Sequence, residues 1–402
     1  MKGYQFEDTQ GTFHLKKAEN ISYLYFPIAG EAGLKSSLTP NLGGDAKIDQ
    51  NTFLLEPVSA ENLVNNRNSR NFWCNVKGIG SWSLTGNAAE ALSKKFTEMQ
   101  DDSEVTAGFM WQKTTRESKK YQLRGEILSF IPVEKNVEVM LVTITNTGRM
   151  AQTVTPTAAI PLYGRSADNI RDHRHVTSLL HRIETTDIGV LVTPTLSFDE
   201  RGHQVNHMTY YCVGWSGNGE KPVDFYPTAE DFVGEGGNFE RPYAIVKNAE
   251  GVKAGTRIEG LEAVGGLHFS EVTLEPEEEC SYLIFTGITE DIQEIRNLSK
   301  TYTTREMVLE ELEKTKAYWQ EKVNVAYHTG DSDFNQFMHW VSFQPILRRI
   351  YGCSFLPHHD YGKGGRGWRD LWQDCLALLI MNPDGVRQML LDNFAGVRVD
   401  GS

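Results

Sequence analysis

The strongest constraint on the fold is a change in the spacing of apolar residues near Thr303. Up to about Ile288 the chain reads as β structure. Val137-Glu138-Val139-Met140-Leu141-Val142-Thr143-Ile144-Thr145 is rich in β-branched residues and stops at Asn146-Thr147-Gly148, and Ser281-Tyr282-Leu283-Ile284-Phe285-Thr286-Gly287 behaves likewise. Many such short strands, broken by Gly, Asn and Asp with neither strand–helix alternation nor an internal repeat, predict a large antiparallel β-sandwich over 1–290. Beyond Thr303 the period is helical: Thr303 and Glu306 have capping-box spacing, and Val308, Leu312, Trp319 and Val323 share one face of a helix over about 304–323. A helical linker is therefore expected over 291–328.

An all-α segment follows over 329–402. Asp331 or Ser332 can cap a helix whose Phe334, Phe337, Met338 and Val341 form an apolar stripe that must be buried, with Pro345 bending it near its end. Tyr351 to Trp368 has no period and reads as a loop. One helix is predicted from about Arg369 to Ile380, and another from Pro383, a favoured first helical residue, to Gly396, a favoured stop. About three helices, each with an apolar face, cannot close a core around themselves, so the chain is expected to be truncated; Val397-Arg398-Val399-Asp400-Gly401-Ser402 looks like mid-protein sequence.

Charge and cysteine usage narrow the function classes. The 402 residues carry 40 Lys and Arg against 53 Asp and Glu, a net charge of −13, which argues against a partner with a phosphate backbone such as nucleic acid. No apolar run approaches the roughly 18 residues a membrane span needs, and Met1-Lys2-Gly3-Tyr4-Gln5 lacks a signal peptide's apolar core, so no membrane partner is expected. Cys74, Cys212, Cys280, Cys353 and Cys375 are odd in number and widely spaced, which suits reduced thiols in a cytoplasm.

The densest cluster of unusual residues is Gly362-Lys363-Gly364-Gly365-Arg366-Gly367-Trp368-Arg369-Asp370-Leu371-Trp372-Gln373-Asp374. With a helix starting near Arg369, Asp370 and Asp374 lie one turn apart on one face, and Trp368 and Trp372 on another. Carboxylates and guanidiniums suit vicinal hydroxyls, and an indole suits the C–H face of a pyranose. The plainer alternative stays open: Asp370 as a first-turn acid favoured by the helix dipole, Asp374 as the partner of a Lys or Arg, and the Trp residues as core.

Gly367-Trp368-Arg369-Asp370-Leu371-Trp372-Gln373-Asp374 also resembles the Gly-aromatic-Arg-Asp-x-x-Gln-Asp signature of glycoside hydrolase family 94 phosphorylases. Ser22-Tyr23-Leu24-Tyr25-Phe26-Pro27, Ser69-Arg70-Asn71-Phe72-Trp73 and Arg171-Asp172-His173-Arg174-His175-Val176 look like the 1,2-β-oligoglucan phosphorylase branch. The resemblance implies an N-terminal β-sandwich, a helical linker and, over 329–402, the start of a truncated (α/α)6 catalytic barrel. It implies that Asp370 hydrogen-bonds the transferred glucosyl unit, that Arg349, with Arg348 beside it, grips the same sugar, and that Lys363 or Arg366 is the basic residue of the Gly-rich loop. Arg369, Trp368 and Asp374 complete the expected substrate-binding set.

The implied activity is inverting phosphorolysis of β-linked, in particular β-1,2-linked, oligoglucans to α-glucose 1-phosphate. Inorganic phosphate is a co-substrate and replaces the water that an inverting glycosidase must activate, so one general acid suffices. That acid and the phosphate ligands are expected beyond residue 402, so no catalytic residue is assigned and the chain is expected to be inactive alone. No metal or organic cofactor is implied. Partners are the oligosaccharide and phosphate, with a homodimer for the full-length protein. The alternatives are a family 94 module of a cyclic β-1,2-glucan synthase, a hydrolase on the same plan, and a non-catalytic carbohydrate-binding sandwich.

Other features have plainer readings. His173 and His175 would share a strand face, but without a carboxylate or Cys at ligand spacing they and His181 read as structural. His358-His359-Asp360 lies in the loop before the sugar signature and suits either a substrate-contacting or a plain surface loop. Glu275-Pro276-Glu277-Glu278-Glu279 reads as a solvated turn, and Trp73, Trp82, Trp111 and Trp215 as sandwich core.

Overall fold

The computed structural model describes residues 3–20, 24–59, 62, 66–199, 202–352, 368–395 and 397–401. Among these, eleven antiparallel strands form one sheet whose centre is the ladder of Leu123–Phe130, Val137–Asn146, Glu279–Thr289 and Thr209–Ser216. A second sheet is built on Gln152–Leu162, flanked by Asn71–Val76 and Ala263–His268, and a third consists of Phe26–Ala29, Lys35–Leu38, Ala46–Asp49 and Thr52–Leu55.

Strand Val137–Asn146 is buried along its whole length, which is why it reads as a nearly continuous apolar run rather than an alternating one. Met140, Val142 and Ile144 point into the core shared with the second sheet, against Phe72, Val154 and Ile160. Val137, Val139 and Leu141 point the other way, with Leu283 and Phe285, into a second core. That outer core is roofed by two helices, α1 (Ile292–Thr301) and α2 (Arg305–Lys322), through Ile295, Leu298, Val308 and Leu312. Each buried Leu, Ile or Val contributes roughly 1.5–3 kcal/mol of transfer free energy, so the linker helices are held by the face they cover.

Within α2, Val308, Leu312 and Trp319 are buried, as is Val323 just after it, as their spacing predicts. The capping box is not formed: Thr304, not Thr303, is the N-cap, no side chain caps the helix, and Thr303 Oγ1 instead donates to Met307 Sδ at 3.2 Å. The four sandwich Trp residues are all buried. Trp215 also donates from its indole nitrogen to Tyr302 O at the end of α1, at 2.9 Å, tying the roof to the sheet. The histidine motif is not a strand: His173 is the N-cap residue of the short helix Arg174–Thr177, so His173 and His175 do not share a strand face. Glu275–Glu279 is exposed, with Glu277 at φ 66° in the turn before the strand Glu279–Thr289. Cys74, Cys212, Cys280 and Cys375 are free thiols, and Cys353 lies outside the described residues.

Three further helices follow: α3 (Ser332–Tyr351), α4 (Trp368–Met381) and α5 (Val386–Phe394). Asp331 caps α3, its carboxylate accepting from Phe334 N at 3.1 Å, and Pro345 lies inside the helix. The apolar stripe faces the wrong way for the sequence reading: Phe334, Phe337 and Val341 are exposed and Met338 is half-buried. Phe343, Ile346 and Leu347 turn inward instead, because Phe343 meets Phe109 (4.5 Å between centroids) and Trp319 (6.3 Å), and Trp340 donates from its indole nitrogen to Gly11 O at 2.8 Å. The sandwich thus selects which of two apolar faces is buried. Helix α5 starts at Val386, not Pro383, since Gly385 takes a left-handed φ of 76° and resets the chain after a turn; Gly396 lies outside the described residues. No helix among the described residues is long and apolar enough to cross a membrane.

The three sheets meet at a fully buried ion pair. Arg70, just before Asn71–Val76, donates to Glu138 of Val137–Asn146 through Nε (2.5 Å) and Nη2 (3.0 Å), and Ser36 of Lys35–Leu38 donates to the same carboxylate at 2.6 Å. Arg70→Met is expected to destabilise the protein by about 3–5 kcal/mol, measured by denaturant unfolding, because it strands the Glu138 charge.

His181 is also buried. Desolvation, then repulsion from Arg165, lowers its pKa to about 3, and its Nδ1 faces Leu261 O at 3.2 Å. It is neutral in the fold but gains a proton on unfolding below about 6.5. The unfolded state therefore binds more protons between about pH 3 and 6.5, and stability should fall as pH drops through that window. His181→Gln is expected to flatten this slope in thermal melts taken across the window.

Candidate functional site

Of the residues singled out at 367–374, Trp368 to Asp374 form the start of α4, beside the end of α3. Leu371, Cys375 and Leu378 point into the core with Phe343 and Leu347, which fixes the rotation of α4. That rotation sets the fate of the two acids one turn apart. Asp374 is 1% exposed and Asp370 51% exposed at their side chains.

Both Asp374 oxygens are taken by Arg348 of α3: Nε donates to each at 2.8 Å and Nη2 to Oδ1 at 2.5 Å. This is the pairing of Asp374 with a basic residue that the plainer sequence alternative anticipates. The hydrogen bond to Asp374 holds the Arg348 guanidinium above the usual arginine value, with Asp370 adding to the same effect from farther off. Asp374 thus faces Arg348 rather than solvent, and its chemistry is to hold that guanidinium in place. Asp370 sits in the first turn of α4, where the helix dipole favours an anion, with Arg369 Nη2 at 3.1 Å. Its carboxylate is open to a ligand, as is the largely exposed Arg369.

Arg349 points elsewhere. Its Nη1 and Nη2 donate to Glu31 at 3.0 and 2.6 Å, on the turn between Phe26–Ala29 and Lys35–Leu38. Burial by itself raises the Glu31 carboxyl, but the hydrogen bonds from Arg349 and Tyr318 and the charges of Arg349 and Lys322 together outweigh it, and the net shift is downward. Tyr351 stitches the same end of α3 to the sandwich, donating to Ile28 O (2.9 Å) and Ser36 O (2.7 Å). The structure therefore gathers Arg348, Asp374, Asp370 and Arg369 and places Arg349 against the sandwich. Lys363, Arg366, His358, His359 and Asp360 lie outside the described residues, as does the Trp368 side chain. Trp372 is on the outer face of α4, edge-on to Phe394 at 5.3 Å.

Glu31 is the partner sequence reasoning missed. It lies 318 residues from Arg349 with no motif around it, so only the fold could reveal the pair. The Arg348–Asp374 pair makes a measurable claim: Asp374→Asn is expected to lower unfolding free energy by about 1–3 kcal/mol, less than for a fully buried pair because Arg348 is partly solvated.

Comparison with known proteins follows the sandwich. Residues 57–305 match the family described as glycosyl hydrolase 94, supersandwich domain. Over 203 residues, 47% of this chain, the sequence is 27% identical to the cyclic beta-(1,2)-glucan synthase NdvB of Rhizobium meliloti (strain 1021), and the match spans 6% of that protein's length. Among solved structures the chain is similar to one described as a kojibiose phosphorylase from the human microbiome, with 9% identity, a TM-score of 0.47, and coverage of 86% of this chain and 42% of that one. A bacterial glucoamylase complexed with acarbose shows 9% identity, a TM-score of 0.42, and coverage of 94% and 59% respectively. With more than half of its length matched by the supersandwich domain, the chain belongs to the glycosyl hydrolase 94 family.

Proposed function

We propose that this chain is the sandwich, linker and opening helices of an inverting glycoside phosphorylase acting on β-linked, in particular β-1,2-linked, oligoglucans. In this reading 1–290 is scaffold, 291–328 the linker, and 329–402 the start of an (α/α)6 catalytic barrel. The observation that carries it is the Trp368–Asp374 part of the signature on α4, with Asp370 open to solvent while Asp374, one turn on, is committed to Arg348. Asp370 meets hydroxyls of the non-reducing terminal glucosyl unit, and Arg348, braced by Asp374, presents a fixed guanidinium nearby. Lys363, Arg366, Arg369 and Trp368 complete the sugar contacts, and Arg349 orients the end of α3 through Glu31.

A phosphate oxygen attacks the anomeric carbon, the glycosidic bond breaks, and the leaving oxygen takes a proton from a carboxylic acid. The products are α-glucose 1-phosphate and a glucan one unit shorter, with no metal or organic cofactor. The acid and the phosphate ligands are assigned to further barrel helices. The bare apolar faces of α3–α5, including Phe337, Leu376 and Ile380, support a barrel that continues past the described helices. The likeness to a cyclic glucan synthase favours a second reading, a glucan-binding module of such a synthase.

Expressed from its full coding sequence, the protein is expected to release glucose 1-phosphate from sophorose-series oligosaccharides only when inorganic phosphate is present. Asp370→Ala should lower kcat/KM about a hundredfold. Release of free glucose without phosphate would identify a hydrolase, and turnover by these 402 residues alone would refute the incomplete barrel.

A further inference from the structure

The sandwich holds a charged cleft for which the proposed phosphorolysis has no use. Arg165 follows strand Gln152–Leu162 and is 6% exposed. Its carbonyl accepts from Phe53 N at 3.0 Å, fixing it beside the third sheet. The guanidinium lies over the Tyr163 ring, 5.1 Å from the centroid, and its Nε meets no acceptor among the described residues. Burial pulls this guanidinium below the usual arginine value, though an arginine stays charged at neutral pH.

The other two cations of the cleft are matched. Arg174 forks onto Glu56, with Nη2 to Oε1 at 2.6 Å, and lies 3.6 Å from Glu262, to which Arg67 donates at 2.9 Å. The described lining thus sets three guanidiniums against two carboxylates, leaving one positive charge in a narrow cleft of about 20 Å³. A buried charge without an acceptor is costly, and the planar fork of an arginine matches the paired oxygens of a carboxylate or phosphate.

The cleft adjoins a groove of about 690 Å³ and shares Arg67, Ala229, Phe239 and Glu262 with it. The groove wall adds Glu230, Asn238 and Glu240 beside the half-buried Phe239 ring. Its carboxylates repel a second anion and accept from hydroxyls, while the ring can cover a C–H face. The cavity therefore suits a ligand with one anionic end and a neutral, hydroxyl-rich body.

We propose that Arg165 anchors the oxyanion of a small acidic saccharide, a sugar phosphate or a sugar acid, whose ring lies in the groove along Phe239. The proposal stands on the sandwich alone and is independent of the role given to Asp370.

Isothermal titration of glucose 1-phosphate, glucuronate, inorganic phosphate and glucose into the chain and its Arg165→Met variant tests it. At least one acidic sugar is expected to bind about tenfold or more tighter than glucose, and the one that does identifies the anion as phosphate or carboxylate. Inorganic phosphate should bind more weakly than glucose 1-phosphate. Arg165→Met should remove this binding while the thermal midpoint stays or rises, since a buried charge without a partner is lost. Absence of binding by both acidic sugars, equal binding of glucose, binding that survives in the variant, or a midpoint several degrees lower overturns the proposal. Hydrogen exchange on the unaltered chain gives a second readout that does not depend on the variant folding. The bound sugar should slow exchange at 161–167 and 262–264, and protection confined to other segments overturns the proposal as well.

Discussion

The structure depends on the Arg70–Glu138 pair, because it is the point at which all three sheets share one set of hydrogen bonds. Arg70 also donates to Gly44 O at 2.8 Å, and Ser36 brings the third sheet to the Glu138 carboxylate. Two charges this deep gain little over a well-packed apolar pair, but removing either one leaves the other stranded. The pair therefore fixes how the sheets sit against one another rather than how tightly they collapse. Ser36 carries the constraint onward: its carbonyl accepts from Tyr351, so the end of α3 is located one residue from the junction.

From that junction the candidate site inherits its geometry. Arg349 and Tyr351 tie α3 to the turn and strands around Glu31, and this places the neighbouring Arg348 to receive Asp374 from α4. Core packing of Leu371 and Leu378 against α3 sets the rotation of α4, and that rotation buries Asp374 while leaving Asp370 in solvent. Sheet assembly, helix docking and the exposure of one carboxylate are successive steps of one chain of contacts.

Much of this architecture was legible in the sequence, and the failures share a cause. The change from strand runs to helical spacing locates the sandwich and the linker helix because both signals are local, arising from period 2 and period 3.6. The motif at 367–374 was legible for the same reason. What could not be read was the choice among local alternatives made by distant partners. On α3, Phe334–Val341 looked like the buried stripe, yet Phe109 and Trp340's bond to Gly11 select the other face. The Ser69–Trp73 and Arg171–Val176 segments carried a family resemblance but no visible role; folded, Arg70 binds Glu138 and Arg174 binds Glu56. Thr303 and Glu306 had capping-box spacing, yet the chain enters α2 one residue later.

The two halves of the chain differ in how completely their elements are covered, and this bears on where binding can occur. The central sheet is packed on both faces, by the second sheet on one side and by α1 and α2 on the other. Helices α3–α5 have one face in the core and one bare, with Ile380 76% and Leu376 66% exposed. A recognition site needs walls that do not shift, and side chains locked by packing on several sides supply them. Asp370 stands where covered and bare surfaces meet, with its carboxylate half open to solvent. Arg165 is enclosed by finished sheets, with its ring platform and neighbouring ion pairs already in place. An ordered cavity with an unmatched charge is thus found in the half of the chain whose packing is complete.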